Sequence, residues 1–150
     1  MTRADSLSDL EREFGVLIRR VKRVIGERAR SVHESLQPSS YLLLTYLAEL
    51  GASRSSVFVD AFDIDKGAVS RQVQHLVELG LVERRPDPAD GRAMLISVTD
   101  DGLARLQAVS GERRRLLDER LGEWTESDHE ALVTSLSRYN RALEGVVVPA

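Results

Sequence analysis

Between Leu7 and Ile25 the apolar residues Leu7, Leu10, Phe14, Leu17, Ile18, Val21 and Ile25 recur at three- and four-residue steps, with Asp9, Glu11, Arg12, Arg19 and Arg20 in the gaps. That spacing predicts a long helix with one apolar stripe. Pro38, an apolar stretch from Tyr41 to Leu50, and then Gly51 predict a second, largely buried helix, because proline suits a first turn and glycine a stop. A shorter helix is expected within residues 53–62, separated from the next by the polar cluster around Asp63 and Asp65. Asp65 is placed to cap a helix running to Leu79, and Gly80 suits the left-handed position behind it. LVERR and AMLISV then read as two strands of a β-hairpin, joined by a loop that holds Pro86, Pro88 and Asp90-Gly91. After Thr99 a helical period returns through Leu103, Leu106, Leu116, Leu117 and Leu121. Trp124 precedes Thr125-Glu126-Ser127-Asp128, a capping-box pattern that opens a last helix carrying Leu132, Val133, Leu136 and Leu143. The expected fold class is mainly α with one small β-hairpin.

The fourth helix and the hairpin carry the chemistry. On a helical wheel Val69, Val73, Leu76 and Val77 fall within about 100° of one another, which makes an inward face. The opposite face presents Gly67, Arg71, Gln74, His75 and Glu78, with Ala68 and Ser70 at its margins. Small residues at the start let such a helix approach a nucleic-acid groove, and Arg71 and Gln74 have the donors to read guanine or adenine edges. Lys66 and Ser70 are placed to meet phosphates. In the hairpin, Arg84, Arg85 and Arg92 flank the proline-containing turn, and Arg92 is the candidate for insertion into a minor groove. Asp90 is expected to orient Arg92 or Arg85 by a charge-assisted hydrogen bond. A helix followed by a basic hairpin is the layout of a winged helix-turn-helix. An amphipathic helix with a solvated polar face, beside a surface hairpin with incidental ion pairs, would read the same way.

Composition narrows the choice only in part. With 42% hydrophobic and 30% charged residues in 150, the chain can form a core and is not composed like a disordered tail. The formal net charge is -3, and from Asp65 to Arg92 five cations (Lys66, Arg71, Arg84, Arg85, Arg92) face five anions (Asp65, Glu78, Glu83, Asp87, Asp90). The segment is not basic in composition, so any nucleic-acid role depends on where the charges point. No apolar run approaches the roughly 20 residues of a membrane span, and the first residues lack a secretory core, so the expected address is the cytoplasm. No Gly-rich phosphate loop, nucleophile elbow or HExxH is present, which argues against an enzyme. With no cysteine, and with His33, His75 and His129 far apart, neither a metal nor another cofactor is expected.

DKGAVSRQVQHLVELGLVERRPDPADGRA and the following LISVTDDG resemble the recognition helix, the wing with its Asp-x-Arg element, and the start of the next helix in the MarR family of bacterial transcription regulators. The terminal helices resemble that family's dimerisation lobe, so the likeness spans nearly the whole chain. One departure is SRSSVFVDAF, which stands where the family more often has a Leu-Ala-containing pattern and bears on contacts from Arg54, Ser55 or Ser56. The resemblance implies a single domain over residues 1–150. Within it, 53–99 would be the winged helix-turn-helix lobe, 5–34 and 122–150 the dimerisation helices, and 100–121 a connecting helix. It implies a homodimeric repressor of a pseudo-palindromic duplex operator, released by a small phenolic or amphipathic effector. In that picture Arg92 enters the minor groove and Asp90 braces the wing. Independently, the stripe from Leu7 to Ile25 and the apolar Val146-Val147-Val148 exceed what a small winged helix can cover, which marks an interface. Leu7, Leu10, Phe14, Leu17, Leu136, Leu143 and Val146 are its expected residues, although packing against the chain's own helices would use the same stripe. Tyr41, Tyr46, His33 and Arg30 are candidates for an effector cleft, and core tyrosines with surface charges are the alternative. A winged helix that docks an acidic protein, without sequence-specific DNA binding, is the competing function.

Overall fold

The computed structural model of the chain describes residues 1–145. Six helices and one hairpin follow the expected order: α1 Arg3–Val32, α2 Pro38–Leu50, α3 Ser56–Phe62, α4 Lys66–Glu78, β1 Val82–Asp87, β2 Asp90–Val98, α5 Asp100–Arg120 and α6 Glu126–Ala142. Local chemistry accounts for most of the ends. Thr2 and Asp5 form a capping box that starts α1 well before the apolar stripe. Gly51 stops α2 at φ 80°, and Gly80 follows α4 at φ 74°, the left-handed region open to glycine. Asp63 ends α3 at φ 49°, a conformation that Asp tolerates better than most residues.

The hairpin differs from its expected form. Its strands extend to Asp87 and from Asp90, which face each other across a turn of only Pro88 and Ala89. Pro86 therefore lies in β1 and not in the loop, opposite Met94. A two-stranded sheet has only edge strands, so the missing N–H is tolerated there.

Two compact units are present, Met1–Gly111 and the remainder from Glu112. In the first unit Ala29 and Val32 from the end of α1 join Leu43, Leu44 and Leu47 of α2, Phe58 of α3, and Val69, Val73 and Leu76 of α4 in one core. Leu81, Val82 and Ile96 close it from the hairpin side. Ser53 and Ile96 exchange backbone hydrogen bonds at 3.0 and 2.8 Å, which ties the hairpin to the segment before α3. Thr99 joins the far end: its hydroxyl donates to the Gly80 carbonyl at 2.7 Å and accepts from the Gly102 amide at 3.1 Å. At Gly102 an added Cβ would lie 2.4 Å from the Leu81 carbonyl oxygen. Arg105 donates to the carbonyl of Val32 at 2.9 Å, satisfying an end group of α1.

In the second unit Arg115 pairs with both Glu112 and Glu119 along α5. Thr125 and Asp128 form the expected capping box of α6, and the Trp124 ring lies 5.8 Å from that of His129. No residue of α6 is buried.

Candidate nucleic-acid interface

Asp65 starts α4 by accepting from the Ala68 amide at 2.7 Å, so the first turn of the helix is held by its own cap. Val69, Val73 and Leu76 are buried and Val77 packs partly against the core, as the 3.6-residue period requires. This burial turns Lys66, Gly67, Ser70, Arg71 and Gln74 to the exposed side, with Ala68 at its half-buried margin. Among the described residues no hydrogen bond or ion pair engages the side chains of Lys66 or Arg71. Gln74 is engaged: its Oε1 accepts from Arg84 Nη1 at 2.8 Å and its Nε2 donates to Glu78 Oε1 at 3.1 Å. Ser70, Arg71, Gln74, His75, Glu78 and Arg84 together line an open depression of about 430 Å³.

His75 departs from the expected outward position. It is half-buried, and its Nε2 lies 3.1 Å from the carbonyl oxygen of Ser35, in the segment between α1 and α2. The wheel places it on the polar face, but a neighbouring segment passes close enough to take up the ring.

The wing is braced by a different acid from the one expected. Asp90 makes no ion pair with Arg92 or Arg85; its Oδ1 accepts from the backbone amide of Arg92 at 3.1 Å, a local turn of the kind Asp commonly closes. Arg85 pairs with Glu83 at 2.7 Å. The long-range brace is Asp87, whose Oδ2 accepts from Arg54 Nη2 at 2.6 Å and Arg54 Nε at 2.8 Å. Its Oδ1 accepts from the Ala89 amide at 2.9 Å. The Asp87 side chain is only 11% exposed. The Ala89 N–H, and after it the Arg54 guanidinium, hold the Asp87 carboxyl below its ordinary range. The sequence marks Arg54 only as a candidate for contacts outside the chain and does not single out Asp87. The pair is separated by 33 positions, and no local pattern links residues so far apart.

Arg92 gains its placement from a register shift. Pro86 opposes Met94 and Asp87 opposes Asp90, so Gly91, Arg92 and Ala93 have no partners on β1. A bulge of this kind re-aims side chains and sharpens the local twist. Arg92 is exposed and, among the described residues, its guanidinium has no hydrogen bond or ion pair.

The remaining candidate residues are distributed differently. Tyr41 is buried in the core, and Tyr46 packs edge-on against Phe58 and Phe62 at 6.2 and 5.4 Å. The Nδ1 of His33 accepts from the Ser35 amide at 3.0 Å, and Arg30 is exposed at the end of α1. Both tyrosines thus serve the core. Of the expected interface residues, Leu7, Leu10, Leu17, Leu136 and Leu143 are exposed and Phe14 is half-buried. Val146 lies outside the described residues.

Residues 35–93 match the sequence model of the MarR family. The chain is 33% identical over 133 residues to the HTH-type transcriptional regulator YxaD of Bacillus subtilis (strain 168), covering 89% of this chain and 92% of that protein. It is 29% identical over 104 residues to the multiple antibiotic resistance protein MarR of Salmonella typhimurium, covering 66% and 72% of the two chains. Among solved structures, RV1404 from Mycobacterium tuberculosis superposes with a TM-score of 0.75 at 19% identity over 99% of both chains. A mutant MarR from E. coli complexed with operator DNA superposes with a TM-score of 0.68 at 20% identity, over 93% of this chain and 99% of that one. These likenesses at low identity bear on the fold.

Proposed function

Because this chain belongs to the MarR family of transcriptional regulators, we propose that it acts as a homodimeric repressor that reads a pseudo-palindromic duplex operator. In this reading α4 enters the major groove and the wing grips the neighbouring minor groove. The observation that carries it is the pairing of two free cations on differently held supports. Among the described residues Arg71 has no side-chain partner on the exposed face of a capped helix, and Arg92 has none in the bulge of a wing pinned by Arg54 and Asp87.

With the net charge at -3, binding has to come from this local arrangement and not from a general attraction to polyanions. Arg71 has the fork geometry for a guanine edge. Arg92 suits the negative potential of a narrow minor groove, and Lys66 and Ser70 border α4 where phosphates would pass.

The dimer is supported by what the chain leaves uncovered. α6 buries nothing, yet presents Leu132, Val133 and Leu136, with Val133 66% exposed, and Leu143 is exposed at its C-cap. Leu7, Leu10, Leu17, Ile18 and Val21 form an exposed stripe along α1. Apolar surface on this scale marks an interface, and two-fold pairing would set two copies of α4 about one DNA turn apart.

Selection of bound sequences from random duplex DNA tests the proposal. An inverted repeat with half-sites about one turn apart is the expected product. Recovery of no motif, with salt-dependent but sequence-indifferent binding, would overturn it and favour a winged helix that docks an acidic protein.

A further inference from the structure

We propose that Arg84, on β1, is a positioning residue for base choice and not a phosphate contact. It holds the Gln74 carboxamide of α4 in one orientation, so that one base per half-site is chosen jointly by the wing and the helix. This rests on the reading of α4 as the base-contacting helix. Arg84 Nη1 donates to Gln74 Oε1 at 2.8 Å, and Gln74 Nε2 donates to Glu78 Oε1 at 3.1 Å. A guanidinium has only donors and an ionised carboxylate only acceptors. Exchanging the oxygen and nitrogen of the amide would set donor against donor at Arg84 and acceptor against acceptor at Glu78. The two charged neighbours therefore decide which way Gln74 faces.

An unheld glutamine can offer its donor and acceptor in either order, and so can pair with an adenine edge or with the acceptors of guanine. The held side chain is presented in one sense, on one side of an open depression that it shares with Arg71 and Ser70. The support is itself fixed. Arg84 faces Ile96 across the hairpin, and Ile96 is in turn hydrogen-bonded to Ser53 on its other edge. Arg71, without a partner among the described residues, keeps the adaptable role that Gln74 has lost.

Sequence selection from random duplexes, run in parallel on the wild-type chain, Arg84→Met, Glu78→Gln and Gln74→Ala, tests the clamp. Glu78→Gln keeps the size of the side chain but offers both a donor and an acceptor, so it no longer decides the amide orientation. Gln74→Ala should flatten base preference at one operator position, from roughly tenfold or more to within about twofold, and Arg84→Met and Glu78→Gln, each of which leaves one charged neighbour in place, should lower the preference at that same position part of the way. Preferences elsewhere and the salt dependence should stay as in the wild type. Arg84→Met added to Gln74→Ala should change nothing further.

Two results overturn the clamp while leaving the DNA-reading proposal intact. One is an Arg84→Met variant that keeps every base preference but binds all duplexes more weakly, with a salt slope lower by about one per half-site, the behaviour of a phosphate contact. The other is a Gln74→Ala variant with an unchanged motif. A wild-type chain that recovers no motif overturns both. Should Arg84→Met fail to fold, Glu78→Gln tests the same amide from its other side.

Discussion

Single side chains on the exposed surface differ here by what holds them. Among the described residues the side chains of Arg71 and Arg92 have no partner, whereas Gln74, Arg84 and Arg85 are already committed to neighbours. Arg71→Ala is expected to relax base preference in the half-site without abolishing binding, a loss of about 1–3 kcal/mol in discrimination measurable by competition with single-base operator variants. Arg92→Ala is expected to weaken binding to all sequences alike and to lower the slope of log affinity against log salt by about one per half-site. Equal salt slopes for Arg92→Ala and the wild type would refute its role in the minor groove. Away from that surface, Gly102→Ala should lower the unfolding free energy measured in urea by about 1–3 kcal/mol, the usual range for overpacking. Its new Cβ would meet a backbone carbonyl at 2.4 Å, which cannot rotate aside. Arg71 and Lys66 were legible because the 3.6-residue period alone turns them outward. His75 was not, because no wheel shows that the Ser35 carbonyl lies beside it.

The wing is held at both ends by contacts distant in sequence. Ser53 pairs with Ile96, and Arg54 with Asp87. Its acid sensitivity follows from Asp87. Because the folded-state pKa is lowered, the stabilisation is fully present above the ordinary carboxylate value of about 3.9 and is lost as pH falls through the lower folded value. Asp87→Asn should therefore be less stable than the wild type at neutral pH, and the difference should close as both are acidified. Urea midpoints measured between neutral and strongly acidic pH would check this, and a gap that persisted below the folded pKa would refute it. For α4 the cap is the comparable element: Asp65→Ala should cost about 1 kcal/mol in the same measurement, since the Ala68 amide loses its acceptor. The cap, the left-handed Gly80 and the capping box of α6 were all legible, being local patterns of a few residues. The exchange of Asp90 for Asp87 as the long-range brace was not, because two aspartates three positions apart in one turn look equivalent until the register places one of them against Arg54.

For the molecule as a whole the exposed apolar surface is the dominant feature. Leu7 at 52% and Leu136 at 38% exposure stand among many large hydrophobic residues on α1, α5 and α6 that the chain leaves open. Pairing of two chains through such surfaces predicts a thermal midpoint that rises with protein concentration. Leu136→Glu should dissociate the pair, as read by sedimentation, and should weaken operator binding even though the residue belongs to α6 and not to α4 or the wing. A wild-type chain that sediments as a monomer at micromolar concentration would count against the dimer.

What the amino-acid sequence determined on its own was everything with a short range. It set the order of six helices and a hairpin, the caps and stops that bound them, and the split of α4 into a buried and an exposed face. These follow from backbone stereochemistry and from periods of two or 3.6 residues. Which exposed residues remain free was decided only in the tertiary structure. The bulge at Gly91–Ala93, the grip of Arg54 on Asp87, the hold of Arg84 on Gln74 and the capture of His75 by Ser35 all join elements that fold back on one another. The physical reason is geometric. A hydrogen bond or ion pair depends on separation in space to within a few tenths of an ångström, and that separation is an outcome of packing the whole core.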